Sequence, residues 1–224
     1  MGDDEFQSIG DKIKCLNNYI LRKCVWFFAL CLPCISSPAA TNFPGGEASQ
    51  TFDTTAHPKA KGLGLKIDVP VSWKIEEGKR PNTIGLATSH NGLGLESCAL
   101  VINSLQQLGW SQATARSETS ESLSIKRRLA EAARSMGGRL IDGGGADLEG
   151  LPSRWLLVAS NYARDGSSFS YYTANWQILY RQWVINLTCG TGDKSASEAE
   201  SRLRHFLPTF RLIANSLLIP SRWE

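Results

Sequence analysis

The chain has 224 residues, 42% of them hydrophobic and 20% charged, with 24 Lys and Arg against 21 Asp and Glu. A net charge of +3 is too mild for nucleic-acid binding, which demands a strong and clustered basic face. Once a leader of about 40 residues is set aside, some 184 remain, enough for one domain with a sizeable core and too few for two.

That leader is the first readable element. Arg22-Lys23 precedes the apolar run Cys24 to Leu32, and small residues follow at Ser36-Ser37-Pro38-Ala39-Ala40. Charge, apolar segment and small-residue exit in that order read as a signal peptide over 1–40, cut after Ala39 or Ala40. A retained membrane anchor is the alternative, but a bilayer core needs about 20 apolar residues, and Pro33 interrupts this shorter stretch. Lipidation at Cys31 or Cys34 lacks the small residues that should precede it. Asp3, Asp4, Glu5 and Asp11 are unusual in an export leader and place the expected translation start near Leu21. Four of the six cysteines fall in this segment, so only Cys98 and Cys189 are left in the mature chain.

From 41 to 61 the chain is rich in Pro, Gly, Thr and Ala without periodicity and reads as a flexible spacer. The domain is expected over 62–217, with a tail at 218–224. Leu65, Ile67 and Val69 alternate with Lys66 and Asp68, the period of a half-buried strand that ends at Pro70, and Trp73 follows as a core plug. Shorter strands fit Ile84 to Leu86 and Cys98 to Ile102. Between Ser122 and Met136 the period changes. Ile125, Leu129, Ala132, Ala133 and Met136 line one face of a helix that Gly137-Gly138 closes.

Beyond Leu140-Ile141 the glycine-rich run 142–150 reads as a loop. Three strands follow, Arg154 to Tyr162, Phe169 to Tyr180 and Gln182 to Thr188, with Asp165-Gly166 as a hairpin turn between the first two. Ser195 and Glu198 have capping-box spacing, and Ala199, Leu203, Phe206, Leu207 and Phe210 make the apolar stripe of a last helix. Pro208 is expected to bend or end it near His205. Strands, helix, strands and helix in this order give an α+β fold, an antiparallel sheet covered by helices.

The segment Gly64-Leu65-Lys66-Ile67-Asp68-Val69-Pro70-Val71-Ser72-Trp73 closes a strand in Pro-x-x-Trp, and the chain ends in Leu207-Pro208-Thr209-Phe210-Arg211. With the long helix and late meander, this resembles PsbP-like and DcrB-like domains, the group that includes the Ran-binding protein Mog. The resemblance covers about Gly62 to Leu217. Thr209 stands where that family usually has Ser. It implies an α/β/α sandwich of the Mog/PsbP type and a binding or accessory role without a shared catalytic motif.

Residues capable of chemistry are few. Cys98 and Cys189 either form a disulfide, closing a loop of about 90 residues and contributing roughly 4 kcal/mol, or lie apart as buried thiols. His57, His90 and His205 lack metal-ligand spacing. Asp142, Asp147 and Glu149 offer hard oxygens to calcium on the glycine-rich run, although the spacing is not that of an EF-hand; a plain turn is the competing reading. There is no Gly-x-Ser-x-Gly elbow, no Ser-x-x-Lys and no cysteine with a histidine partner. Lys126-Arg127-Arg128 with Arg202 and Arg204 read as the solvated faces of two helices rather than one basic patch.

The meander is crowded with aromatic residues. Alternation sends Tyr172, Trp176 and Tyr180 to one face and Phe169 and Tyr171 to the other, so one set belongs to the core. Tyr172, Trp176 and Tyr180 are the candidate exposed aromatic surface, against the alternative that aromatics fill both layers. The expectation is an exported, non-catalytic envelope protein. It would need no cofactor, bind a protein or envelope component, avoid nucleic acid, and meet a membrane only through an uncleaved leader. An envelope enzyme or calcium binder using the acidic run, and a tethered chaperone-like factor, are the competing functions.

Overall fold

A computed structural model describes residues 41–89, 96–105, 111–119, 123–148, 150–164 and 167–220, all within one unit, Ala40–Glu224. The leader, His90, Glu149, the Asp165-Gly166 turn and the last four residues lie outside the described residues.

Seven antiparallel strands form the main sheet, β3 (Lys74–Glu77), β4 (Thr83–Thr88), β5 (Ser97–Ser104), β6 (Gly138–Leu148), β7 (Leu151–Arg164), β8 (Ser167–Tyr180) and β9 (Trp183–Asp193). Their spatial order is β3-β4-β5-β9-β8-β7-β6, so β9 returns to the middle and pairs with β5 and β8 along its length. A separate hairpin pairs β1 (Ser49–Asp53) with β2 (Lys66–Pro70).

One face of the sheet is covered by this hairpin and by α3 (Ala196–Asn215), which buries Ala199, Leu203, Phe210, Ile213 and Ala214. Trp73 closes that layer edge-on against Phe210, with ring centroids 6.3 Å apart. Among the described residues the other face is covered by helices toward its β6–β7–β8 end. There Ile125, Leu129 and Ala133 of α2 (Leu123–Ser135) bury Leu156 and Val158 of β7, and α1 (Gln112–Thr119) lies beside them. Helical cover on both sides of an antiparallel sheet makes the α/β/α sandwich expected from the resemblance.

Capping behaves as the spacing requires. Ser195 Oγ accepts from the Glu198 backbone N–H at 3.1 Å, and the side chains of the two residues meet at 2.8 Å. Gly137, with φ +74°, takes the left-handed conformation that ends α2.

Several expectations are corrected. Residues 41–61 are not a spacer: they contain β1, Phe43 is 3% exposed and Ala60 1%, and the hairpin needs them to cover the sheet. The fold also extends past 217, because Leu218 pairs with Lys66 and Ile219 is buried. Pro208 lies inside α3 without ending it. Burial of Phe210, Ile213 and Ala214 beyond it offsets the roughly 3 kcal/mol that an internal proline costs. The glycine-rich run is strand β6, not a loop.

Candidate functional site

β8 and β9 show how the sequence builds two unlike faces. On β8, Tyr172, Ala174, Trp176, Ile178 and Tyr180 alternate with Tyr171, Thr173, Asn175, Gln177 and Leu179, and period-2 geometry sends the two sets to opposite sides. The first set joins the core under α3: Trp176 is 5% exposed, Tyr180 fully buried, and Tyr172 packs against the same cluster. The expected aromatic binding surface at Tyr172, Trp176 and Tyr180 is therefore corrected; these rings are what the hairpin and α3 cover.

The second set lies on the opposite face, where Thr173, Asn175 and Leu179 are buried and Asn175 and Gln177 border a groove. Register places Arg154 of β7 opposite Gln177 of β8, Gln177 opposite Asn186 of β9, and Asn186 opposite Val101 of β5. In the next row Asn175 faces Thr188. With Asn103 and Val184, these residues line an open groove of about 430 Å³. Among the described residues its lining is carboxamide, hydroxyl and one guanidinium, with two valines and no carboxylate.

Two features set this groove apart from an ordinary wet sheet face. Asn175 is 5% exposed, its amide nitrogen donates to the Thr188 hydroxyl, and its carbonyl oxygen Oδ1 is buried with no hydrogen-bond partner. A buried acceptor left unpaired costs about 1–3 kcal/mol. Arg154 is the second. Its Nε donates to Gln177 Oε1 at 2.7 Å, and among the described residues no carboxylate pairs with it. Burial first and the nearby Arg128 charge second hold its pKa below the ordinary arginine value, while Glu118, the neighbouring acid, is bonded to Arg128. Both features are group-level deficits that something outside the strand ladder can fill.

Tyr171 lies on the same face of β8, four residues before Asn175 and opposite Gly192 of β9. Its ring lies so close over Gly190 and Gly192 that a Cβ at either position would collide with it. Burial pushes its phenol pKa up, and its hydroxyl bonds to Ser97.

A second depression, about 330 Å³, lies between Phe43, Trp73, Phe206 and the exposed His205. Its buried polar groups are already used, since Ser89 Oγ donates to Glu96 at 2.9 Å and Glu47 accepts from the Ser72 N–H at 2.9 Å. Glu96 itself is fully buried and accepts from Arg202 at 2.7 Å and Thr191 at 3.3 Å, while Arg202 Nε reaches Asp193 at 2.8 Å. This clamp ties the start of α3 to the ends of β5 and β9. Arg202 and the Lys194 backbone N–H hold the Asp193 pKa below the usual carboxylate range.

The remaining sequence candidates separate in space. Cys98 and Cys189 stand opposite each other in the β5–β9 register and are joined by a disulfide on the core face. Asp142 and Asp147 are five residues apart on an extended strand, about 16 Å, so they cannot share one ion; Asp142 accepts from Gly143 N–H and Asp147 lies 3.7 Å from Arg116. The calcium candidate is corrected on that ground for the two described carboxylates. His57 Nδ1 accepts from the Lys59 N–H in a single turn of 3₁₀ helix. Arg127, Arg128, Arg202 and Arg204 all have acidic partners, and α2 and α3 lie on opposite faces of the sheet.

Comparison with known proteins bears on the fold. No family model matches the chain, and no curated protein matches it. Among solved structures, the cyanobacterial PsbP of Synechocystis sp. PCC 6803 is similar at TM-score 0.50 and 16% identity, over 82% of this chain and 99% of that one. The Ran-binding protein Mog1p of Saccharomyces cerevisiae is similar at TM-score 0.50 and 7% identity, over 77% and 96%. LpqN of Mycobacterium tuberculosis, involved in cell envelope biogenesis, aligns at TM-score 0.45 and 12% identity, over 75% and 90%. The antiparallel sheet between helical layers, and the sequence resemblance that anticipated it, are those of the PsbP/Mog fold.

Proposed function

We propose that this protein is an exported, non-catalytic binding domain that holds its ligand or partner on the uncovered polar face of its sheet. The observation that carries the proposal is the groove around Asn175, where a buried acceptor and a half-buried arginine await partners from outside the strand ladder. Groups left in that condition lower stability and are kept where they recognise something. The yeast protein of this fold binds Ran, which supports a fold whose use is binding.

Export rests on the leader and gains support from the Cys98–Cys189 disulfide, since such bonds persist in oxidising compartments and are rare in the cytosol. The mature N-terminus, read by mass spectrometry after subcellular fractionation, should begin near 40 or 41 in an extracytoplasmic fraction. A processed chain beginning before Cys24 would contradict the export reading.

The binding face is tested by adding envelope extract to ¹⁵N-labelled protein and following side-chain amide resonances. Shifts concentrated on Asn103, Asn175, Gln177 and Asn186 are expected. Shifts confined to α3 and the Trp73 depression would move the site and overturn the assignment.

A further inference from the structure

Resting on that reading of the groove, we infer that its ligand is a hydroxylated monocarboxylate, the chemistry of an acidic sugar, with Arg154 on the carboxylate and Asn175 Oδ1 accepting from a ligand hydroxyl.

The lining itself narrows the choice. A protein partner would be met by a desolvated apolar or aromatic anchor inside a polar rim. Here the centre of the groove is Asn175, Gln177, Asn186 and Thr188, and the apolar residues are two valines at its edges. Each of those carboxamides and the hydroxyl can both donate and accept, the pattern that complements vicinal hydroxyls, which also do both. A volume of about 430 Å³ is in the range of small-molecule sites and small for a folded partner.

Charge selects further. Among the described residues Arg154 is the one ionised group in the lining and no carboxylate pairs with it, so a single negative charge on the ligand is matched. A cationic ligand group, such as the ammonium of a free amino acid, would find no carboxylate among the described lining residues and would stay uncompensated. The unpaired Asn175 oxygen needs a donor, which a fully deprotonated anion such as acetate does not bring. Asn175 lies two residues along β8 from Gln177, the register partner of Arg154, so the two are diagonal neighbours about 7–8 Å apart at the backbone. A sugar ring bearing a carboxylate and several hydroxyls bridges that gap once the arginine side chain reaches inward. Inorganic phosphate is too small to touch both.

The test is an NMR titration of the ¹⁵N-labelled protein with D-glucuronate and D-galacturonate, against D-glucose, acetate and inorganic phosphate at equal ionic strength. Binding of one or both sugar acids, with the Asn175, Gln177 and Asn186 side-chain amides shifting together, is the expected result. Glucose, acetate and phosphate should bind at least about tenfold more weakly, and R154Q should weaken the sugar acid at least about tenfold. Should R154Q disturb folding, Q177E serves instead. It supplies Arg154 with an internal carboxylate and repels the ligand's, so binding should vanish while the strand register is retained. Phosphate or acetate binding as tightly as glucuronate would overturn the inference in favour of a simple anion site, and glucose binding equally would overturn the role of Arg154. If no probe moves these amides while envelope extract does, the ligand class is wrong and the binding face stands. If neither moves them, both readings fail.

Discussion

Along β8, Tyr172, Ala174, Trp176, Ile178 and Tyr180 face the layer made by α3 and the β1–β2 hairpin, whereas Asn175 and Gln177 border the open groove of the other face. The first set obeys the rule for a core: apolar, closed, with a disulfide from β5 to β9 at its centre. The second set breaks the rule for a wet sheet surface, because Asn175 and Asn186 are 5% and 9% exposed yet polar. One strand thus carries the core on its even positions and the proposed binding face on Asn175 and Gln177 of its odd ones. Substitutions one residue apart should separate the two.

The largest effect belongs to the covered face. Trp176→Ala empties a site that is 5% exposed and should lose about 3–5 kcal/mol in urea unfolding, enough to leave a marginal domain unfolded. A loss below about 1 kcal/mol would mean that the ring is not part of the core.

Next is the disulfide, which links positions 91 residues apart. Reduction of the intact protein should lower its unfolding free energy by about 4 kcal/mol in the chain-entropy account. Thiol titration should find two reactive groups in the mature chain only after reductant and denaturant; two free thiols in the native oxidised protein would exclude the bond.

A smaller effect is expected in the hairpin that covers the core. The Thr55 hydroxyl, then the Thr55 backbone N–H, then Lys66, lower the Asp53 pKa from 3.8 to about 2. The folded state therefore favours the carboxylate. Its contribution is present above about pH 4, the unfolded value, and is lost as pH falls through about 2. Wild type should exceed Asp53→Asn in stability at pH 6, and the difference should close across that acid window. A difference that grows on acidification would reverse the sign and refute the assignment.

Much of the covered half was legible in the sequence. Leu65-Ile67-Val69, the Ser195–Glu198 box and the stripe ending at Phe210 all have a period that local geometry dictates, and the covering layers follow from them. What escaped depends on long-range pairing. β1 reads as polar spacer because Ser49–Asp53 is a two-stranded edge with no fully buried position. β6 reads as loop because its three consecutive glycines carry no pattern, and pairing with β7 alone makes it a strand. In α1 only Ala115 and Thr119 are buried, too few to make a stripe. Cys98 and Cys189 were visible as a pair, but only register could put them face to face.

The candidate site was hidden behind its neighbours. Asn175, Gln177, Asn186 and Thr188 are interleaved with the aromatic and aliphatic residues that draw the eye, and they read as the ordinary wet side of a strand. Polar carboxamides at the middle of two adjacent long strands were the available signal. Their burial, and the missing partner of Asn175, required the packed structure.

The central claim, that Asn175 is retained for recognition and not for folding, is tested most directly by equilibrium urea unfolding of Asn175→Val. Valine suits a central strand and removes the unpaired oxygen, so the account predicts stability within about 0.5 kcal/mol of wild type or higher, with an unchanged m-value. A loss of more than about 1.5 kcal/mol would show that the amide holds the sheet together, and would contradict it.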